Sequence, residues 1–130
     1  MLYRLGKGIS KRNIAVFADE NFSKLESILL DCSLFSKNNI VQIHKDSIPN
    51  AGKEDIFLIH WGDFKDKIDA ILPTIGKNTA LIIYAPIETG RIDPENMTKI
   101  GNCRNSVVVN FKGRLLNDIL TSLMTTSYER

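Results

Sequence analysis

Side chains able to do chemistry follow directly after the apolar stretches of this 130-residue chain. The clearest case is residues 55–65 (DIFLIHWGDFK), where four apolar residues give way to His60, Trp61 and Asp63. An imidazole can act as a general base or can hydrogen-bond a phosphate or a carbonyl. The alternative for His60 is a structural histidine bonded to a loop carbonyl. Trp61 could stack on a ligand, but packing against a neighbouring helix is the simpler interpretation.

Three further apolar stretches end in side chains of the same kind. If all of them are parallel strands, their carboxyl ends meet at one edge of a sheet, where α/β proteins bind ligands. His60, Glu88 and Tyr84 are the candidates for acid–base chemistry there. The predicted ligand site as a whole comprises Asp19, Glu20, His60, Trp61, Tyr84, Asn110, Lys112, Gly113 and Arg114.

Two parts of this edge could bind ions. Lys112-Gly113-Arg114 would open the last helix, and a helix N-terminus flanked by cations favours an anion. The alternative is a plain strand-to-helix turn with solvated cations, since no glycine-rich phosphate loop accompanies it. Asp19-Glu20 could hold a divalent cation through carboxylate oxygens. The favoured alternative is a pair of acids that complements a helix dipole.

The elements that must position these side chains are five strands separated by amphipathic helices. Continuous apolar runs predict buried strands at residues 13–18, 40–43, 56–59, 79–85 and 106–111. Alternating strands and helices predict an α/β fold with three αβα layers. The right-handed crossover rule leaves few topologies, and among them we choose a five-stranded parallel sheet in the flavodoxin-like order 2-1-3-4-5. Residues 45–54 are too polar for a full helix, so we expect a loop or one helical turn there.

Several local patterns predict where the helices begin and end. Ser23 and Glu26 have the spacing of a capping box for a helix over residues 22–34. Phe64, Ile68, Ile71 and Leu72 form one apolar helix face that stops near Pro73. Asp93-Pro94 predicts a helix start, and Gly101 a C-terminal cap. The last helix is expected to begin near Gly113, with a stripe of Leu115, Leu116, Ile119, Leu120, Leu123 and Met124.

The overall composition predicts one globular domain over residues 13–130, preceded by a flexible basic leader at residues 1–12. The chain is 43% hydrophobic and 25% charged, and its formal charge of +2 does not favour nucleic acid. Cys32 and Cys103 are far apart in the sequence, which favours reduced thiols and a cytoplasmic location. Neither a signal peptide nor a membrane-spanning run is present, so no membrane association is expected.

The size, the alternating order and the acidic pair Asp19-Glu20 resemble the receiver domains of response regulators over most of residues 13–128. Receivers hold Mg²⁺ with such a pair and phosphorylate an aspartate at the end of the third strand. They also carry Thr or Ser after the fourth strand and Lys after the fifth. Aligned on that pattern, this chain has His60, Tyr84 and Asn110 at those positions, with Lys112 two residues displaced. The resemblance therefore implies a pseudo-receiver that makes no aspartyl phosphate.

The leading hypothesis is a non-catalytic signalling or regulatory module without a cofactor. It would bind a protein partner or a small anionic ligand, a nucleotide in particular, at the carboxyl edge containing His60 and Lys112. The last helix is an alternative surface for a homodimer. The second hypothesis is a small enzyme acting on a nucleotide or NAD-like substrate, as TIR-like and nucleoside-hydrolysing domains of similar architecture do. Their catalytic glutamate has no specific match in this sequence.

Overall fold

A computed structural model describes residues 13–31, 35–48, 55–75, 79–103 and 105–129, with side chains as far as residue 122. The predicted leader at residues 1–12 and the predicted loop at residues 49–52 lie outside the described residues. Cys32 and the side chains of Leu123 and Met124 lie outside them as well.

The centre of the molecule is a parallel sheet of five short strands. They are β1 (Ile14–Phe17), β2 (Ile40–Ile43), β3 (Ile56–His60), β4 (Ala80–Tyr84) and β5 (Ser106–Val109). Their order is β2-β1-β3-β4-β5 and every pairing is parallel, which confirms the predicted topology. Strand β2 has its predicted bounds, and β1, β4 and β5 are shorter than their apolar runs. Strand β3 extends one residue beyond its apolar run, to His60.

Helices cover both faces of the sheet. They are α1 (Phe22–Leu30), α2 (Trp61–Phe64), α3 (Ile68–Ile71), α4 (Pro94–Gly101) and α5 (Lys112–Glu129). Single 3₁₀ turns lie at Lys37–Asn39, Lys65–Lys67, Leu72–Thr74 and Ile87–Thr89. The helix predicted after β3 is thus a chain of short turns, and Pro73 lies in its last turn.

Because successive strand residues point to opposite faces, the apolar strands supply two separate cores. One core packs Val16 and Leu58 against α1 and α5. The other packs Phe17 and Phe57 against α2, α3 and α4, with the two rings 5.0 Å apart. This two-sided burial is the physical reason for continuous apolar strands and confirms the three-layer arrangement.

Two predictions about helix ends are wrong. Helix α1 begins at Phe22 as predicted, but its N-cap is Asn21, so Ser23 does not start a capping box. The Asn21 side chain donates its hydrogen bond to Asp63, and this tertiary contact replaces the local cap. Gly101 is the last helical residue and not the cap, because the chain continues in right-handed geometry at Asn102.

The predicted start of α4 is confirmed. Asp93 is the N-cap, its carboxylate accepts from the Asn96 backbone N–H at 3.1 Å, and Pro94 is the first helical residue. The last helix begins one residue before the predicted Gly113. Leu115 and Ile119 of its predicted stripe are fully buried.

Candidate functional site

The carboxyl ends of β3 and β4 are level with each other. His60 pairs with Tyr84 in the sheet register, and their rings meet edge to face with centroids 5.8 Å apart. Both side chains therefore emerge at the same edge of the sheet. Helical structure begins directly after β3, at Trp61, and three residues after the end of β4, at Ile87.

His60 is buried to 4% exposure at the end of β3, and its Nδ1 atom has no hydrogen-bond partner among the residues that the structure describes. Burial lowers the pKa of His60 below its usual 6.5; Asp63 and Glu88 oppose the lowering, and Lys24 adds to it. The imidazole is therefore neutral at physiological pH. A buried and unpaired ring nitrogen is costly, which is the reason that such groups often mark functional sites.

Asp63 holds the loop after β1 in place. Its Oδ2 atom accepts from the backbone N–H groups of Asp19 at 2.9 Å and Asn21 at 3.2 Å, and its Oδ1 accepts from Asn21 Nδ2 at 2.9 Å. Burial alone would raise the pKa of Asp63, but these hydrogen bonds outweigh it and lower the pKa. The ionised carboxylate thus fixes α1 relative to α2.

An open groove of about 750 Å³ lies at this edge, between α1 and the segments that follow β4 and β5. Five of the residues proposed from the sequence line it: His60, Tyr84, Glu88, Asn110 and Lys112. The rest of its lining is Asn21, Lys24, Leu25, Ser27, Ile28, Pro86, Ile87, Thr89 and Phe111.

The remaining predicted site residues do not line this groove. Trp61 is 2% exposed and packs in the core. Asp19 lies 3.4 Å from the His44 imidazole, and Glu20 is exposed. Arg114 lies 3.6 Å from Asp118, with its guanidinium 6.0 Å from the centre of the Phe111 ring. Gly113 is exposed next to that ring.

The wall contributed by α1 was not anticipated from the sequence. Lys24, Ser27 and Ile28 line the groove together because residues spaced by three and four lie on one helix face. Leu25 and Ile28 are core residues, and both also line the groove. The helical spacing of Lys24 and Ser27 was the pattern that could have identified this wall.

The groove combines two ammonium groups with one carboxylate, and its walls contain both polar and apolar side chains. Lys24 and Lys112 can bind an anion, whereas Glu88 can accept from hydroxyl or amino groups. Burial, with Glu88 as a smaller cause, raises the pKa of Tyr84, so its hydroxyl stays protonated and can donate. Ile87 and Phe111, which are 86% and 54% exposed, offer apolar surface.

A second groove of about 540 Å³ lies beside the first and shares Ile87 and Asn110 with it. Arg91 and Met97 are among its other lining residues, and Met97 is 43% exposed. Arg91 therefore lines this neighbouring groove and does not line the one above His60.

Within the part of the chain that the structure describes, no group of three or more His, Cys, Asp or Glu side chains is arranged to hold a metal ion. No helix in the same ranges has both the length and the apolar character needed to span a bilayer.

No protein-family model matches the sequence, and neither a curated protein nor a solved structure is significantly similar to it.

Proposed function

We propose that this chain is a non-catalytic signalling or regulatory module that binds a small anionic ligand, a nucleotide, in the groove above His60. The observation that carries the proposal is the buried, incompletely bonded His60 at a groove flanked by Lys24 and Lys112. Ligand sites of open α/β sheets lie at this carboxyl edge. The volume of about 750 Å³ is in the usual range of small-molecule sites.

The chemistry of the walls favours a nucleotide over a simple anion. The exposed Ile87 presents apolar surface to a flat base, and the exposed Phe111 ring could stack on one. The phosphate would be held by the lysines and by the N-terminus of α5, where the helix dipole favours negative charge. Glu88 is suited to accept from ribose hydroxyls.

The absence of phosphotransfer in this proposal follows from the receiver-like layout. The position that corresponds to the acceptor aspartate holds His60, and the neighbouring carboxylate of Asp63 already accepts three hydrogen bonds from the β1–α1 loop. We expect no aspartyl phosphate after incubation with acetyl phosphate and Mg²⁺, measured by intact mass. Stable phosphorylation of an aspartate would contradict the pseudo-receiver interpretation.

Binding is tested by a thermal-shift screen with ATP, NAD and cyclic nucleotides, followed by calorimetry at low salt. Lys24→Gln and Lys112→Gln should each weaken the hit by about ten- to a hundredfold, since a charge-assisted hydrogen bond contributes about 1.5–3 kcal/mol. Lys65→Gln is the matched control, because Lys65 is an exposed lysine that does not line the groove. Equal weakening in all three variants would point to nonspecific charge attraction.

A second candidate is a small enzyme acting on a nucleotide or NAD-like substrate. It is favoured by the neutral His60 beside Tyr84 and Glu88, which are groups able to move a proton. Product analysis of each hit distinguishes the two candidates. Binding without turnover supports the module, whereas turnover that is lost in His60→Ala and Glu88→Gln would replace it with the enzyme.

A further inference from the structure

The orphaned nitrogen of His60 lies opposite a carboxylate. His60 Nδ1 is 3.9 Å from Asp63 Oδ1, and both side chains are largely buried, with 6% and 10% exposure. The distance is too long for a hydrogen bond, but no other described polar atom serves Nδ1. Because Nδ1 is buried, Nε2 is the ring nitrogen left for a ligand in the groove that His60 lines.

The charge of Asp63 determines which nitrogen carries the proton of neutral His60. An ionised carboxylate has only lone pairs to offer, so a lone pair on Nδ1 facing it would be repelled, whereas an N–H would be attracted. The three hydrogen bonds donated to Asp63 stabilise its ionised form. At functional sites, a second residue commonly determines which ring nitrogen of a histidine carries the proton.

We propose that Asp63 is a positioning residue that holds His60 in the Nδ1-protonated tautomer, so that Nε2 offers a lone pair to the groove. A lone pair on Nε2 selects an anionic ligand that also carries a hydrogen-bond donor. The amino group of a nucleobase is such a donor. The ligand class rests on the proposed function, whereas the tautomer belongs to the free protein and can be measured there.

The other charged and titratable groups near His60 come from three elements, which are α1, β4 and the 3₁₀ turn after β4. Lys24 on α1 opposes protonation of the ring, and Glu88, after β4, favours it, as Asp63 does. Tyr84 packs against the ring edge to face. Since burial lowers the pKa of His60, the ring is neutral above about pH 6.5 and the tautomer decides what the groove presents.

The test is a long-range ¹H–¹⁵N correlation spectrum of the free wild-type protein at pH 7.5. We expect Nδ1 of His60 to resonate as the protonated nitrogen and Nε2 as the unprotonated one. The opposite pattern in the wild-type protein overturns the proposal, whatever any variant does. Asp63→Asn should shift the pattern toward the other tautomer, whereas Asp66→Asn, which removes an exposed carboxylate, should leave it unchanged.

The ligand arm compares AMP with its analogue that lacks the 6-amino group. Tighter binding of AMP, with the difference reduced in Asp63→Asn, supports selection by Nε2. Equal affinities overturn the selection of a donor. If neither nucleotide binds while the tautomer is as expected, the proposed nucleotide function fails and the positioning role of Asp63 stands.

Discussion

His60 combines burial, a missing hydrogen bond and a position at the groove, so its protonation should influence stability. Burial lowers the pKa of His60 in the folded protein below the usual 6.5. As the pH falls below 6.5, the unfolded chain takes up a proton before the folded protein does. The stability contributed by this residue is therefore present above pH 6.5 and is lost as the pH falls toward the lowered pKa.

We predict that His60→Gln removes this part of the pH dependence. The free energy of unfolding of the wild-type protein should fall more steeply between pH 6.5 and pH 5 than that of the variant. Urea unfolding at a series of pH values measures the difference. Parallel curves for the two proteins would show that His60 is not shielded from water in the folded state.

Gly62 is required for close packing behind the groove. A Cβ atom there would lie 2.7 Å from Thr89 Cγ2 and 3.1 Å from His60 Cε1. Thr89 cannot rotate away freely, because its hydroxyl donates to the Pro86 carbonyl at 2.7 Å. We expect Gly62→Ala to destabilise the protein by about 1–3 kcal/mol through overpacking.

The matched control is Gly101→Ala, since a Cβ at Gly101 meets nothing within 4 Å. That variant should be neutral or stabilised, because alanine is a better helix former than glycine. Adding Thr89→Ser to Gly62→Ala removes the clashing methyl group and should restore part of the loss. Equal melting temperatures for the two alanine variants would refute the steric explanation.

At the scale of elements, the connection after β1 is held by Asp63 and not by a local cap. The sequence pattern around Ser23 was typical of a capping box, but Asn21 caps α1 without its side chain. Local spacing cannot reveal this, because the hydrogen bonds join residues 42 and 44 positions apart in the sequence. By contrast, Asp93-Pro94 was predictable, since its cap is formed within four residues.

We predict that Asp63→Asn costs about 1.5–3 kcal/mol, the range of hydrogen bonds to charged groups. The contribution of the wild-type carboxylate is present above its usual pKa of 3.8 and is lost as the pH falls through its lowered value. Asp63→Asn should therefore lose less stability on acidification than the wild-type protein does. Chemical unfolding at pH 7 and at pH 3 measures both effects.

Asp66→Asn is the control for this prediction. Asp66 carries the same charge three residues away, but it is exposed and its contact with Lys45 is long, at 3.7 Å. Exposed pairs contribute little. If both variants lose the same stability, net charge and not the loop contacts explains the effect of Asp63.

At the scale of the whole molecule, the sheet order and the two-sided burial were predictable from continuous apolar strands and the crossover rule. The edge that carries His60, Tyr84 and Lys112 followed directly from that order. The groove as a shape did not, because its walls depend on how α1 and the turn at Ile87–Thr89 pack, and local periodicity does not encode that packing.

The same burial pattern predicts which strands are most protected against local unfolding. The inner strands β1, β3 and the first four residues of β4 are fully buried or nearly so, whereas most residues of the edge strands β2 and β5 are half-buried. Amides of Val16, Leu58 and Ile82 should therefore exchange with solvent most slowly, through global unfolding alone. Hydrogen exchange measured by NMR tests this. Faster exchange in β3 than in β5 would contradict the strand order.

The most direct test of the ligand site is an NMR titration of the ¹⁵N-labelled protein with ATP at low salt. We predict saturable shifts confined to the groove, at the amides of Lys24, His60, Glu88 and Lys112, and strongly reduced shifts in Lys112→Gln. The absence of saturable shifts with ATP, or shifts centred on the second groove around Arg91, would contradict the assignment of the ligand site to the groove above His60.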